Sequence, residues 1–188
     1  MFFPRHVLFV TTLLVASSAT AENLLVITDG SDARNAVSYT LDGDDNRLEV
    51  LQEASAGGSL NNAIALSIEG DGNGGPAGSA FTGAPLATGL LPGQLRQRGE
   101  GNAMEVAITG SSNMFAMAQL GDGNAMTVAV SGRSNLFALA QNGDGNAVTA
   151  SIRGTGNQAA VQQFGNNNMA VFSQAGNANS VSITQRSY

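Results

Sequence analysis

The side chains in this sequence with a chemistry to offer are primary amides set on a fixed beat. Asn102, Asn113, Asn124, Asn135, Asn146, Asn157, Asn168 and Asn179 fall 11 residues apart without a slip, and Gln97, Gln119, Gln141, Gln163 and Gln185 fall 22 apart. A primary amide both donates and accepts, so amides stacked one over another can bond along a column. That chemistry is structural rather than catalytic, and it works only where the spacing is kept.

The elements that must position these amides follow from what lies between them. With Asn as place one, places three and five are apolar: Met104 and Val106, Phe115 and Met117, Met126 and Val128, Phe137 and Leu139. Period-two alternation is a strand pattern. Each unit closes at place nine on a turn glycine, at Gly110, Gly121, Gly132, Gly143, Gly154, Gly165 and Gly176, often within Gly-Asp-Gly-Asn. Such a glycine supplies the positive φ that a tight connection requires. Place seven divides the units into two kinds: Gln in one, mostly an aliphatic residue such as Ile108, Val130 or Ile152 in the other. The repeat is therefore strand, turn, strand, turn over 22 residues. No single pair can bury its apolar face, so the expected fold is all-β: a β-solenoid of stacked strand-turn-strand coils, about 4.8 Å apart and amyloid-like in its amide ladders.

Composition narrows the function. The chain has 188 residues, 24 of them Gly, with no Cys or Trp and 12% charged residues. Its one histidine, His6, lies in MFFPRHVLFVTTLLVASSATA, where Arg5, the apolar run Val7 to Ala16 and the small residues Ala19 to Ala21 read as a secretory signal peptide, residues 1–21. Beyond it there is neither His nor Cys, which excludes His-dependent and thiol catalysis, His/Cys zinc sites and disulfides. No catalytic residue, cofactor site or metal site is assigned. Acidic residues outnumber basic ones, 14 to 8, which argues against nucleic acid or an anionic membrane as partner. No segment after the leader reads as membrane-inserting.

Along the chain, residues 22–72 read as degenerate acidic repeats, with units starting at Asn35, Asn46 and Asn62. Residues 73–90, rich in Gly, Ala and Pro, read as a surface insertion, and residues 91–188 as regular repeats. About six coils result. Glu100, Asp122 and Asp144 share one turn position 22 residues apart. Stacked like charges repel, so the column is a candidate brake on premature assembly; the plain alternative is the turn chemistry of Asp-Gly. Gly70 to Gly75 spells G-x-G-x-x-G but opens no helix, as a dinucleotide fingerprint must. Asp42, Asp44, Asn46 and Glu53 match calcium-loop places, yet Arg47 stands where that loop needs Gly. In the Gln-type units the outward places are also apolar, as at Met114, Ala116, Ala118, Leu136, Ala138 and Ala140. Such a face calls for cover, from lateral pairing of filaments or from the insertion.

The pattern Asn-x-apolar-x-apolar-x-Gln-x-Gly-x-x-Asn, iterated from Asn102 to Gln185, resembles the curlin repeat of bacterial curli fibre subunits. The resemblance implies a secreted, non-enzymatic subunit that polymerises into extracellular cell-surface fibres of the biofilm matrix. It also implies partners: further copies of itself, other curlin-like subunits, an outer-membrane secretion channel and accessory assembly proteins. A minor subunit that nucleates fibre growth is an alternative within the family. A monomeric calcium- or ligand-binding surface adhesin is the alternative outside it.

Overall fold

The computed structural model describes residues 9–12, 23–29, 35–53, 61–75 and 90–187. The rest of the leader, the acids around Asp32 and most of the insertion lie outside these residues.

The described residues form strands and turns, with no helix. In chain order the strands are β1 (Phe9–Thr12), β2 (Leu24–Asp29), β3 (Ala36–Asp42), β4 (Arg47–Glu53), β5 (Ala63–Glu69), β6 (Gln94–Arg98) and β7 (Ala103–Thr109). They continue with β8 (Met114–Leu120), β9 (Ala125–Arg133), β10 (Leu136–Asn142), β11 (Ala147–Thr155), β12 (Gln158–Phe164), β13 (Met169–Ala175) and β14 (Ser180–Arg186). They fall into two sheets. One runs β1-β2-β4-β6-β8-β10-β12-β14 and holds the Gln-type units; the other runs β3-β5-β7-β9-β11-β13 and holds the aliphatic units. Every pairing is parallel except that of β1 with β2. Strands alternate between the sheets along the chain, which makes a β-solenoid of about six turns with about 22 residues per coil.

The register sets each residue over its counterpart: Met104 pairs with Met126 and Met126 with Val148, Phe115 pairs with Phe137 and Phe137 with Ala159. Alternating burial along β5 and β7 sends places three, five and seven inward. The core is this double row, including Leu48, Val50, Ile64, Ile68, Ile108, Met117 and Leu139. Phe115 and Phe137 stack at 5.4 Å between ring centroids, 19° from parallel. Parallel aromatic stacking adds to plain area burial, and identical spacing makes it available. The Gln sheet is covered on its outer face as well, since Ala116, Ala118, Ala138, Ala140 and Ala160 are buried.

Candidate functional site

The amides at place one form two columns. In each, the Asn Nδ2 donates to Oδ1 of the Asn one coil nearer the N-terminus at 2.9 to 3.1 Å, through Asn102, Asn124, Asn146 and Asn168 on one edge and Asn113, Asn135, Asn157 and Asn179 on the other. The same oxygen accepts the backbone N–H of the following Asn, as Asn102 Oδ1 does from Asn124 at 3.0 Å. Nδ2 makes a second bond to a turn glycine carbonyl, as Asn124 does to Gly143 at 2.8 Å. In the interior rungs, Asn102 to Asn157, all four amide valences are then used inside a site closed to water, where an unmade bond would be costly.

The Gln column runs with opposite polarity. Gln97 Nε2 donates to Gln119 Oε1, Gln119 to Gln141, Gln141 to Gln163 and Gln163 to Gln185, at 2.7 to 3.0 Å and toward the C-terminus. The second N–H is fixed by a carbonyl of the facing strand, Ala103 for Gln119 and Ala125 for Gln141. Backbone partners of known type settle both orientations, an N–H on the Asn oxygen and a carbonyl on the Gln nitrogen.

At the turns, Gly110, Gly121, Gly132, Gly143, Gly154, Gly165 and Gly176 all have positive φ. A Cβ on Gly110 would collide with the Gly132 carbonyl, and one on Gly132 with that of Gly154, so stacking as well as φ demands glycine here. Glu100, Asp122 and Asp144 lie one above another. The Glu100 N–H donates to Asp122 Oδ1 at 2.8 Å, that of Asp122 to Asp144 Oδ1 at 2.8 Å, and that of Asp144 to Asn166 Oδ1 at 2.9 Å. These side chains therefore bond the turns together as well as carrying charge. Asn46, the third member of the calcium-like quartet, is buried with its Oδ1 bonded to Asn73, so that oxygen is not aimed into the acidic turn.

The columns continue upstream through the units read at Asn35, Asn46 and Asn62, and through two rungs that the spacing did not mark, Asn23 and Asn73. Asn46, Asn62, Asn73 and Gln52 are buried in the columns, and Asn23 and Asn35 begin them. Their separations from the next rung are 23, 27, 40 or 45 residues instead of 22, because short and long excursions interrupt the beat. Asn73 and Gly74 stay in the coil: Asn73 bonds Asn113, and the Gly74 N–H bonds the Asn113 carbonyl. The insertion therefore leaves after them, and the chain re-enters by Gly93, whose N–H bonds the Phe115 carbonyl. One further amide, Gln174, stands in the aliphatic sheet in register with Ile152. It is 7% exposed, its Nε2 bonds Gln158 O at 2.9 Å, and its Oε1 has no partner.

Both ends of the stack are open in a particular sense. The inward apolar residues that are only partly buried are Ile27, Val37, Tyr39, Leu41, Phe172, Val181 and Ile183, and they all belong to the first or last strands. These features define a parallel β-solenoid bound by internal amide ladders. Within it, residues 154–186 match the family model of the curlin associated repeat, so the chain carries that repeat. No curated protein and no solved structure matches the chain.

Proposed function

We propose that this chain is a structural subunit that polymerises end to end into curli-like amyloid fibres outside the cell, as part of a surface or biofilm matrix. The observation that carries the reading is the incompleteness of the ends. Interior residues are sealed by a coil on either side, whereas Val37, Tyr39 and Leu41 at one end and Phe172, Val181 and Ile183 at the other have a coil on one side only. A further copy supplies the missing coil, with backbone bonds, amide rungs and apolar burial together. The curlin associated repeat at residues 154–186 supports a structural role rather than an enzymatic one. On this reading the leader directs export, and a secretion channel and accessory proteins deliver the chain to the surface.

The test is growth of the chain from Glu22 onward in the presence of an amyloid dye. A lag followed by a rise, with the lag abolished by preformed fibres, is the expected outcome. A monomer that keeps its dye signal flat after seeding overturns the reading.

A further inference from the structure

The two sheets hold unequal numbers of strands. Among the described residues the Gln sheet has eight with β1 and seven without it, and the aliphatic sheet has six. Once β1 is set aside, the described strands begin and end in the Gln sheet, with β2 and β14. A copy stacked by simple translation places its β2 on β14 but leaves one strand position empty above β13. A copy turned by half a revolution about the solenoid axis fills that position with β2 and sets β3 on β14. The winding then continues unbroken, and every pairing stays parallel.

We propose that successive copies join by this half-turn, so that the two kinds of sheet exchange sides at each junction. The inference rests on end-to-end polymerisation and adds the geometry of the contact.

The last coil already carries the exchange in its sequence. β13 lies in the aliphatic sheet, whose outward places two and four hold small or polar residues, such as Ala63 and Ala65, Ala103 and Glu105, and Ala125 and Thr127. At the same places β13 presents Met169 and Val171, 69% and 67% exposed. Its place seven is Gln174, held to the Gln158 carbonyl as Gln119 is held to that of Ala103, with a separation of 16 in both cases. β13 thus has the character of a Gln-type strand in the other sheet, and its unpartnered Oε1 against Ile152 is the mark of a ladder starting there.

Under the half-turn, β13 meets β2: Met169 lies over Leu24, Val171 over Val26, Phe172 over Ile27, Ser173 over Thr28. Gln174 takes the register position next to Asp29, which itself pairs with Gln52. β14 in turn meets β3: Ser180, Ser182 and Thr184 lie over Ala36, Ser38 and Thr40, and Arg186 lies over Asp42, an opposite charge. Translation offers Arg186 no acid at that place. The half-turn leaves one amide hydrogen of Gln185 over Leu41, a single unmade bond against a strand-wide gap.

The chain has no cysteine, so introduced pairs report contacts directly. Adjacent in-register strands bring Cα atoms within disulfide range. Fibres of leader-free Val26→Cys/Val171→Cys chains should oxidise to a ladder of linked oligomers, and fibres of Val26→Cys/Ser182→Cys chains should stay monomeric on a denaturing gel. All these positions face outward, so the fold is kept. In a second measurement, Arg186→Glu should slow seeded growth several-fold and Asp42→Arg in the same chain should restore it. Cross-links in the Ser182 pair, or fibres with neither link and no charge rescue, overturn the half-turn while leaving polymerisation intact. If even the unsubstituted chain forms no fibres, end-to-end polymerisation falls, and the half-turn falls with it.

Discussion

A Gln rung in this interior is held by three bonds: Gln119 donates to Gln141 and to the Ala103 carbonyl and accepts from Gln97. Truncating it strands its neighbours, which is the costly direction of hydrogen-bond loss. Replacing Gln119 and Gln141 together by Ala should destabilise the solenoid by about 1–3 kcal/mol per rung, measured by denaturant unfolding, and should lengthen the assembly lag. Unchanged stability would mean that the rungs are decoration on a backbone-held stack. The acidic column invites the opposite substitution. Asn166 already accepts the Asp144 N–H in the place where Asp144 accepts that of Asp122, so Asn retains the bond that Asp makes. Asp122→Asn with Asp144→Asn therefore removes charge alone. If the column brakes assembly, the variant has the shorter lag at low ionic strength, and salt closes the difference by screening the wild type. Equal lags at low salt leave the column with turn chemistry only.

At the scale of the strand and its turn, the beat was legible because stacking makes every unit answer to the same geometry. Place nine shows this. Gly110 has φ of 125° and lies against the Gly132 carbonyl, so Gly110→Ala meets both a forbidden backbone region and a collision with the next coil. The strain alone is about 1–3 kcal/mol, and the collision forces neighbouring coils apart as well. A clear fall in the unfolding midpoint is expected, read by circular dichroism; an unchanged midpoint would show that the turn relaxes freely. The insertion's exit was less legible. Asn73 reads as the start of a Gly-Ala-Pro stretch because the chain leaves the coil just after it, between two residues that the ladder treats as neighbours. The opposed polarity of the Asn and Gln ladders left no trace in the spacing either. It is set by which backbone group lies nearest each amide, a turn N–H for Asn and a facing carbonyl for Gln. Gln174 was visible as a letter in the sequence, but its meaning depends on which sheet holds β13, and that is a property of the winding.

For the whole molecule, the ends decide how copies meet, and they are unequal. The first coil and its approach carry Glu22, Asp29, Asp32 and Asp42, whereas Asn168 to Tyr188 contains no acid and one arginine. Two acidic ends repel, so head-to-head contact is disfavoured and head-to-tail contact is not. Deleting Glu22 to Asp42 removes β2 and β3, and deleting Asn168 to Tyr188 removes β13 and β14. Each deletion takes one strand from each sheet, so the half-turn parity survives in both and parity cannot explain a difference between them. What differs is the chemistry left at the junction. Without β2 and β3, Gln174 is followed directly by Gln52, an amide over an amide in ladder register, and Arg186 is followed by Glu69, which occupies the register position of Asp42. Without β13 and β14, the aliphatic sheet ends at Ile152 on β11, with no amide to start the exchanged ladder and no arginine facing the acids. Seeded growth should therefore persist in the N-terminal deletion and fail, or slow by an order of magnitude or so for about 1.4 kcal/mol lost at the junction, in the C-terminal one. Growth curves of the two truncations, with unfolding midpoints to confirm that both retain the solenoid, decide the matter: equal impairment, or a worse loss from the N-terminal side, would place the growing chemistry at the other end.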